Sequence, residues 1–567
     1  MSVYTFLAAS DKKIFCDGEP SGFGFYGASC FKNEPFSFQL AYKSEKHIIP
    51  IYTEIIKDSA SEHLSVFCVG QVPVINAASS SVLENSKYAK PGIYPDMLLR
   101  RKTFHTLSND GFWQPQYFES GEKNLLDATP DSWQTLWFTF NESGTAPSGD
   151  YEIVIRLRSQ KTQDILSENK IKLHIIDRLL PEQKTYYTNW FHYDCLSDTY
   201  NTEMWSERHF EIIRSFLSNA ALHGMNTLLL PAFTPPLDTP VGKERKTAQL
   251  IKISKTGEKY SFDFSLLERF LQLALSCGIK YFEHSHLFTQ WGAKHTPKIT
   301  ADINGIQKQI FGWETDAHSP EYSGLLKAYI PKLLSVLEKY NLKNNIIFHI
   351  SDEPRKGKLF DTYYLPAIKQ IKDVVDRQPI GDALIDFDCY KKSGIDIPIV
   401  NISGAEDFSA KCKNFWTYYT GETSSLNYTN RLITTPNSYC RILGVQMYYY
   451  GITGFLHWGY NYYYNVLSHG LFNPCCNPCG YSMQPGTSFI VYPSADGSAI
   501  PSIREKLMME AMCDIRALEL LEQCTDRRLV INECEKFFEG FSLKMTQRQT
   551  EKLFAFRQRI NTLIENQ

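Results

Sequence analysis

The sequence contains no run of 18 apolar residues, so no segment reads as a membrane-spanning helix. It also lacks a basic field: 59 Lys and Arg stand against 62 Asp and Glu, a net charge of −3 with a pI near 6.5. That balance offers nothing to attract nucleic acid or an anionic membrane surface. The stretch Met1–Lys13 has no basic start followed by a long apolar core and does not read as a secretory signal. Fourteen cysteines are scattered from Cys16 to Cys534 without the dense framework of a disulfide-stapled domain, which fits a reducing cytoplasm. Cys475, Cys476 and Cys479 have metal-like spacing, but beyond His469 no second pair lies nearby to complete four ligands, so a polar loop is expected there. No metal and no cofactor is expected, and the oligomeric state is left open.

What the chain does have is length and aromatic content. At 567 residues it exceeds one ordinary core, and several domains are expected. Aromatics make up 14% of residues, with 33 Tyr and 9 Trp, and they crowd the second half. Their faces suit stacking on the apolar faces of sugars, but they fill cores equally well.

Residues 1–180 read as all-β. Phe36–Tyr42, Thr135–Phe140, Tyr151–Leu157 and Lys170–Ile176 alternate apolar and polar side chains, with turn signals between them, which predicts a β-sandwich. Residues 80–130, rich in Ser, Asn and Pro, read as long loops. Near Arg178–Lys184 the pattern switches to strands alternating with amphipathic helices, the mark of a parallel α/β arrangement. Strands are predicted at 186–192, 227–230, 280–286, 345–350, 381–385, 397–402, 414–419 and 454–458. Helices are predicted at 207–223, 266–277, 321–340, 364–375, 438–450 and 504–522. Eight strand–helix units imply a (β/α)8 barrel over residues 181–525, with a helical tail at 526–567.

The stretch Asn345–Pro354 stands out. Ile346-Ile347-Phe348 reads as a short buried strand that runs directly into Asp352 and Glu353 and is stopped by Pro354. Pro354 is expected to hold Glu353 extended, so the two acids would approach one pocket from different sides. A pair of this kind is either a solvated strand end or the acid–base equipment of a site needing one carboxyl charged and one protonated. A barrel places its site at the C-terminal strand ends. There the sequence offers Trp190 and His192; Glu283, His284 and His286 with Trp291 beyond; Trp416, Tyr418 and Tyr419; and His457, Trp458, Tyr460 and Asn461. His284 and His286 are spaced like a metal pair, but with no third ligand a hydrogen-bonding role is expected.

Taken in order, the segments Lys32–Gln39, Phe282–Gly292, His349–Pro354, Phe415–Thr420, Gly454–Asn461 and Tyr492-Pro493 with Ser502–Glu505 resemble glycoside hydrolase family 123, the β-N-acetylgalactosaminidases, and the wider bacterial group carrying domain of unknown function 4091. The resemblance covers most of the chain and implies a sandwich followed by a (β/α)8 barrel. It implies that Asp352 and Glu353 are catalytic and that the substrate is a glycan or glycoside ending in a 2-acetamido sugar. The implied chemistry is retaining and substrate-assisted, the sugar's own amide oxygen forming an oxazoline, which departs from the usual two-carboxylate scheme. Glu353 would be the general acid and Asp352 the ionised group that orients the acetamido N–H. Trp190, His192, Glu283, His286, Trp291, Tyr419, His457, Trp458 and Asn461 are the candidate substrate-binding residues; Tyr419 would bond the acetamido carbonyl and Trp458 would form a stacking wall. Two alternatives stay open: a glycosidase with Glu283 as second carboxylate, and a carbohydrate-binding protein without turnover.

Overall fold

The computed structural model describes residues 2–20, 24–56, 61–77, 87–100, 102–107, 113–117, 124–384, 386–480 and 482–567. The N-terminal region is built from two five-stranded sheets. One orders Val3–Ala9, Phe36–Ser44, Gln134–Phe140, Leu64–Val74 and Gly92–Leu99; the other orders Gly27–Phe31, Ile165–Ile176, Gly149–Ser159, Ile49–Ile55 and Asn124–Ala128. Alternation decides their faces: along Gly149–Ser159, Tyr151, Ile153, Ile155 and Leu157 are all buried. Phe38, Leu40, Leu136 and Phe138 of the first sheet share one core with Ile51, Ile153, Ile171 and Leu173 of the second.

The expectation of long loops over 80–130 is corrected where it can be compared. Strands occupy Gly92–Leu99, Lys102–Leu107, Trp113–Tyr117 and Asn124–Ala128, and a short 3-10 turn occupies Lys87–Ala89, while residues 80–86, 101, 108–112 and 118–123 lie outside the described residues. Pro95 hid the Gly92–Leu99 strand. It is tolerated because the strand is a sheet edge and the register slips between Gly70 and Gln71, opposite Met97 and Pro95.

From Tyr186 onward eight parallel strands alternate with helices: Tyr186–Asn189 (β1), Thr227–Leu230 (β2), Tyr281–His284 (β3), Ile346–Phe348 (β4), Gly381–Leu384 (β5), Ile397–Asn401 (β6), Trp416–Tyr418 (β7) and Gly454–His457 (β8). Ile385, expected to close β5, lies outside the described residues. The helices start where side-chain caps satisfy free N–H groups: Ser206 accepts from His209 N, Ser319 from Tyr322 N and Ser502 from Glu505 N. The strands form two ladders rather than one unbroken ring, β1-β8-β7-β6-β5 and β2-β3-β4. An isolated bridge, Phe348 to Ile380, joins them at β4 and β5. At the other seam Asn226 N–H donates to Tyr187 O (3.1 Å), while Tyr187 N–H goes to the Asn226 side-chain oxygen (2.9 Å). That side chain takes the place of a ladder carbonyl, which interrupts the pairing of β1 with β2. Inward side chains Leu229, Ile347, Ala383, Ile399, Trp416, Tyr418 and Leu456 pack with Trp190 in one cluster. A four-stranded sheet inserted after β2 and β3, built from Lys252–Thr256, Lys259–Asp263, Ile299–Ile303 and Ile306–Phe311, was not anticipated.

The C-terminal helices Arg527–Phe537 and Leu553–Glu565 do not hang free. Phe538, Phe556 and Ile560 pack with Ile442, Val445 and Leu518 of the α/β region and with Phe31 and Ile176 of the sheets. Arg557 is buried with both arms on Glu34 (2.7 and 3.0 Å) and lies 3.6 Å from Asp514. Removing one member of a buried pair strands the other charge, so Arg557→Leu is expected to cost about 3–5 kcal/mol. A fall in the urea midpoint checks this. Among the described residues no helix is long and apolar enough to cross a membrane.

Candidate active site

The segment after β4 is held rung by rung against the segment after β3. Leu287 N–H donates to His349 O (3.1 Å), Phe288 N–H to Ile350 O (2.9 Å) and Trp291 N–H to Asp352 O (2.7 Å). Ser351 donates through Oγ to Thr289 O (2.7 Å) and through N–H to Asp382 Oδ2 (3.0 Å). These bonds deliver Asp352 and Glu353, both half-buried, to the C-terminal end of the parallel strands. Glu353 is not extended as expected: its φ is +44°. Pro354 forbids it the right-handed helical region, and the turn is closed in the left-handed one, a strain that persists only where surroundings impose it.

Burial, followed by the facing Glu353, Asp382 and Asp238 carboxylates, holds the Asp352 carboxyl well above the ordinary range, with His349 pulling the other way. Asp352 therefore takes up a proton more readily than an isolated carboxylate. The hydroxyl of Tyr418 donates to Glu353 Oε1.

Below the pair lies a buried polar network. Glu283 is fully enclosed and accepts from Thr188 Oγ1, from Trp190 Nε1 (3.2 Å) and from His349 Nε2 (2.7 Å). Burial works against a charge on His349, but Asp382 and Glu283 outweigh it and raise the imidazole to about 9. Tyr364 OH donates to Asp382 Oδ2 (2.8 Å). Among the described residues His286, His349 and Asp382 are the one grouping of metal-type side chains, with ligand atoms within 4.8 Å of each other. Imidazole lone pairs lie in the ring planes, and these two rings stack at 4.7 Å and 19°. His349 Nε2 is already taken by Glu283, which leaves that ring's Nδ1 alone to offer an ion. The arrangement suits a proton held between two carboxylates. His286 stays neutral, pushed down by burial and by His349.

The remaining candidates divide by which face of the strand they occupy. Trp190 sits in the inward cluster as part of the floor. Trp291, 44% exposed at φ +64°, stands at the rim beside Asp352. Trp458 is half-buried on the inward side, against Tyr462. Tyr419 does not reach the pocket: it is buried on the outer face against Phe455, with its hydroxyl toward Met508. His457 is likewise on the outer face, accepting at Nδ1 from Gly459 N–H (3.1 Å) and pushed well below its usual range by burial and Arg431. Asn461 is fully buried and clamps the His192 backbone through both its amide groups (2.9 and 3.1 Å). His192 itself supports the wall. Arg245 donates to its Nδ1 (3.1 Å), and its Nε2 donates to Trp458 O (2.9 Å). Burial and Arg245 lower it to about 3, so it is neutral. His284 bonds Ser285 O (2.6 Å) and Tyr329 OH (2.9 Å), away from the pocket. The residues missed are Asp238, Asp382 and Arg245. Tyr418 is offered by its place at a strand end but is not among the candidate substrate-binding residues.

The family model for the glycoside hydrolase 123 catalytic domain matches residues 190–521, more than half of the chain. Among solved structures, a family 123 glycoside hydrolase from Clostridium perfringens, described for glycolipid glycan hydrolysis, is 13% identical with a TM-score of 0.72, covering 100% of this chain and 98% of that one. A family 2 glycosyl hydrolase from Bacteroides cellulosilyticus is 10% identical with a TM-score of 0.27, covering 83% of this chain and 46% of that one. A Bacteroides uniformis beta-glucuronidase is 10% identical with a TM-score of 0.28, covering 87% and 48%. No curated protein matches the sequence. With a sheet-rich N-terminal region leading into this catalytic domain, the chain belongs to glycoside hydrolase family 123.

Proposed function

We propose that the chain is an exo-acting glycoside hydrolase that releases terminal β-linked N-acetylgalactosamine by a retaining, substrate-assisted route. The catalytic unit is taken as residues 181–525, its two ladders forming the wall of a (β/α)8 barrel with the N-terminal sandwich and the helical tail outside. The observation that carries the mechanism is the enclosure of Glu283. With its oxygens bonded to Thr188, Trp190 and His349 and none of its surface exposed, it is not free to attack a sugar. That removes the second carboxylate a covalent or inverting route through Glu283 would need.

In this reading Glu353 protonates the departing oxygen and then activates water. The acetamido oxygen attacks the anomeric carbon while Asp352 accepts from the acetamido N–H and stabilises the positive charge that grows there. Substrate favours the charged form of Asp352, against the burial that raises it. Tyr418 fixes the Glu353 carboxyl, and Tyr419, on the outer face, does not reach the acetamido carbonyl. A hydrogen bond to an ionisable group contributes about 1.5–3 kcal/mol, so Tyr418→Phe is expected to lower kcat by about 10–100-fold. Tyr419→Phe should leave it within about twofold, as expected for a hydroxyl whose contact is a thioether. Steady-state rates of the two variants check the assignment.

The substrate class is tested with nitrophenyl β-glycosides of N-acetylgalactosamine, N-acetylglucosamine, galactose and glucose. Turnover of the galacto acetamido substrate is expected. Cleavage of the plain sugars with neither acetamido substrate touched would overturn the reading.

A further inference from the structure

After β2 the chain crosses the C-terminal ends of the parallel strands, and Asp238 stands at the crossing. Its neighbour Leu237 is buried in the same cluster as Trp190, Tyr418 and Trp458, the side chains that back the acid pair. Asp238 has a φ of +47°, a region in which Asp and Asn are among the few tolerated residues. Its backbone is pinned on both sides. The N–H donates to Gln290 Oε1 (3.0 Å), next to Trp291, and the carbonyl accepts from Ser468 Oγ (2.7 Å). Trp291, Glu353, Leu467 and Ser468 are also left-handed. Strained positions from four loops thus gather at one end of the strands, as expected where surroundings fix a functional geometry.

The Asp238 carboxyl belongs to the pocket. Burial raises it to about 6, with Arg245 pulling down and Glu353 pushing up, and it in turn raises Asp352. Arg245 is committed elsewhere, bidentate to Asp194 (2.7 and 2.7 Å) and bonded to His192. Among the described residues no hydrogen-bond donor meets the Asp238 carboxylate. Asp238 is half-buried, so its carboxylate remains accessible to donors that a ligand brings.

We propose that Asp238 is a specificity-determining residue whose carboxylate accepts hydrogen bonds from free hydroxyls of the sugar held by Asp352 and Glu353. This deepens, and rests on, the reading of the pocket as a glycosidase site. With Asp352 and Glu353 it presents three acids to the substrate, so the ligand is a neutral sugar rich in donors; a sulfated or carboxylated terminal residue is rejected.

Asp238→Asn keeps a residue that tolerates the same backbone and removes the charge. The native enzyme and the variant are compared on the nitrophenyl acetamido galactoside and on its 3-, 4- and 6-deoxy analogues. In the native enzyme one analogue is expected to lose about 10–100-fold in kcat/KM, the range for a hydrogen bond to a charged group. Asp238→Asn should lose a similar factor on the parent, chiefly through KM, and the missing hydroxyl should then cost nothing more. Losses that simply multiply for all three analogues would overturn the proposal. A loss above about 10³ in kcat, with a 2-fluoro sugar trapped covalently on Asp238, would make it the nucleophile and overturn the substrate-assisted reading as well. If the native enzyme turns over no acetamido glycoside, that reading fails by itself. Calorimetric binding of N-acetylgalactosamine and its deoxy analogues to both proteins then decides Asp238, equal affinities for parent and analogues in the native protein counting against it.

Discussion

Glu353→Gln is expected to lose about 10²–10⁴ in kcat on substrates with alcohol leaving groups, such as a methyl glycoside or a disaccharide, while losing far less on nitrophenyl glycosides. The difference comes from the leaving group. Nitrophenolate departs unaided as an anion, whereas a sugar alkoxide needs a proton delivered as the bond breaks. Gln keeps the size and can still accept from Tyr418, so the pocket is not rearranged by loss of that bond. Equal losses on both substrate types would remove Glu353 from the acid role. Added azide should restore turnover of the nitrophenyl substrate if the second step, activation of water, also depends on Glu353, because an anionic nucleophile needs no base.

Asp352→Asn is expected to lower kcat by about 10²–10³ with little change in KM, because the charge it supplies is needed chiefly in the transition state. The variant should also change the pH profile. Burial and three facing carboxylates raise the Asp352 carboxyl, and the reaction needs it charged. Activity is therefore present above the raised value and lost as pH falls through it, so the acid limb of kcat/KM lies higher than for an ordinary carboxylate. Asp352→Asn should displace the limb toward lower pH. A limb that stays in place in the variant, with kcat unchanged, would mean Asp352 does not act as a charge.

Sequence reasoning located the pair because its signal was local: a short apolar strand, two acids and a proline. The eight strand positions were legible for the same reason, each being an apolar run beside an amphipathic helix. What failed depended on the parity of very short strands. β7 is three residues long, and one step along it exchanges faces, so Tyr418 meets Glu353 while Tyr419 faces Met508. The same step separates Leu456, in the interior, from His457, outside it. Asn461 and His192, expected to bind substrate, lie just past the strand ends, where Asn461 holds the His192 backbone and His192 bonds Trp458 O. Glu283 was weighed as a rival carboxylate because the sequence does not show its enclosure. Asp238 left no signal at all: it lies in Pro235–Pro240, a stretch without period, and its position depends on contacts from Gln290 and Ser468 far along the chain.

The central claim is that the substrate's own amide oxygen makes the first bond to the anomeric carbon. Its most direct test replaces the acetamido methyl of the nitrophenyl galactoside with mono-, di- and trifluoromethyl groups, each withdrawing more electron density from that oxygen. If the amide is the nucleophile, kcat/KM falls steeply and progressively along the series. A series with level rates would contradict the account, leaving the acetamido group as a recognition handle and the nucleophile on the enzyme.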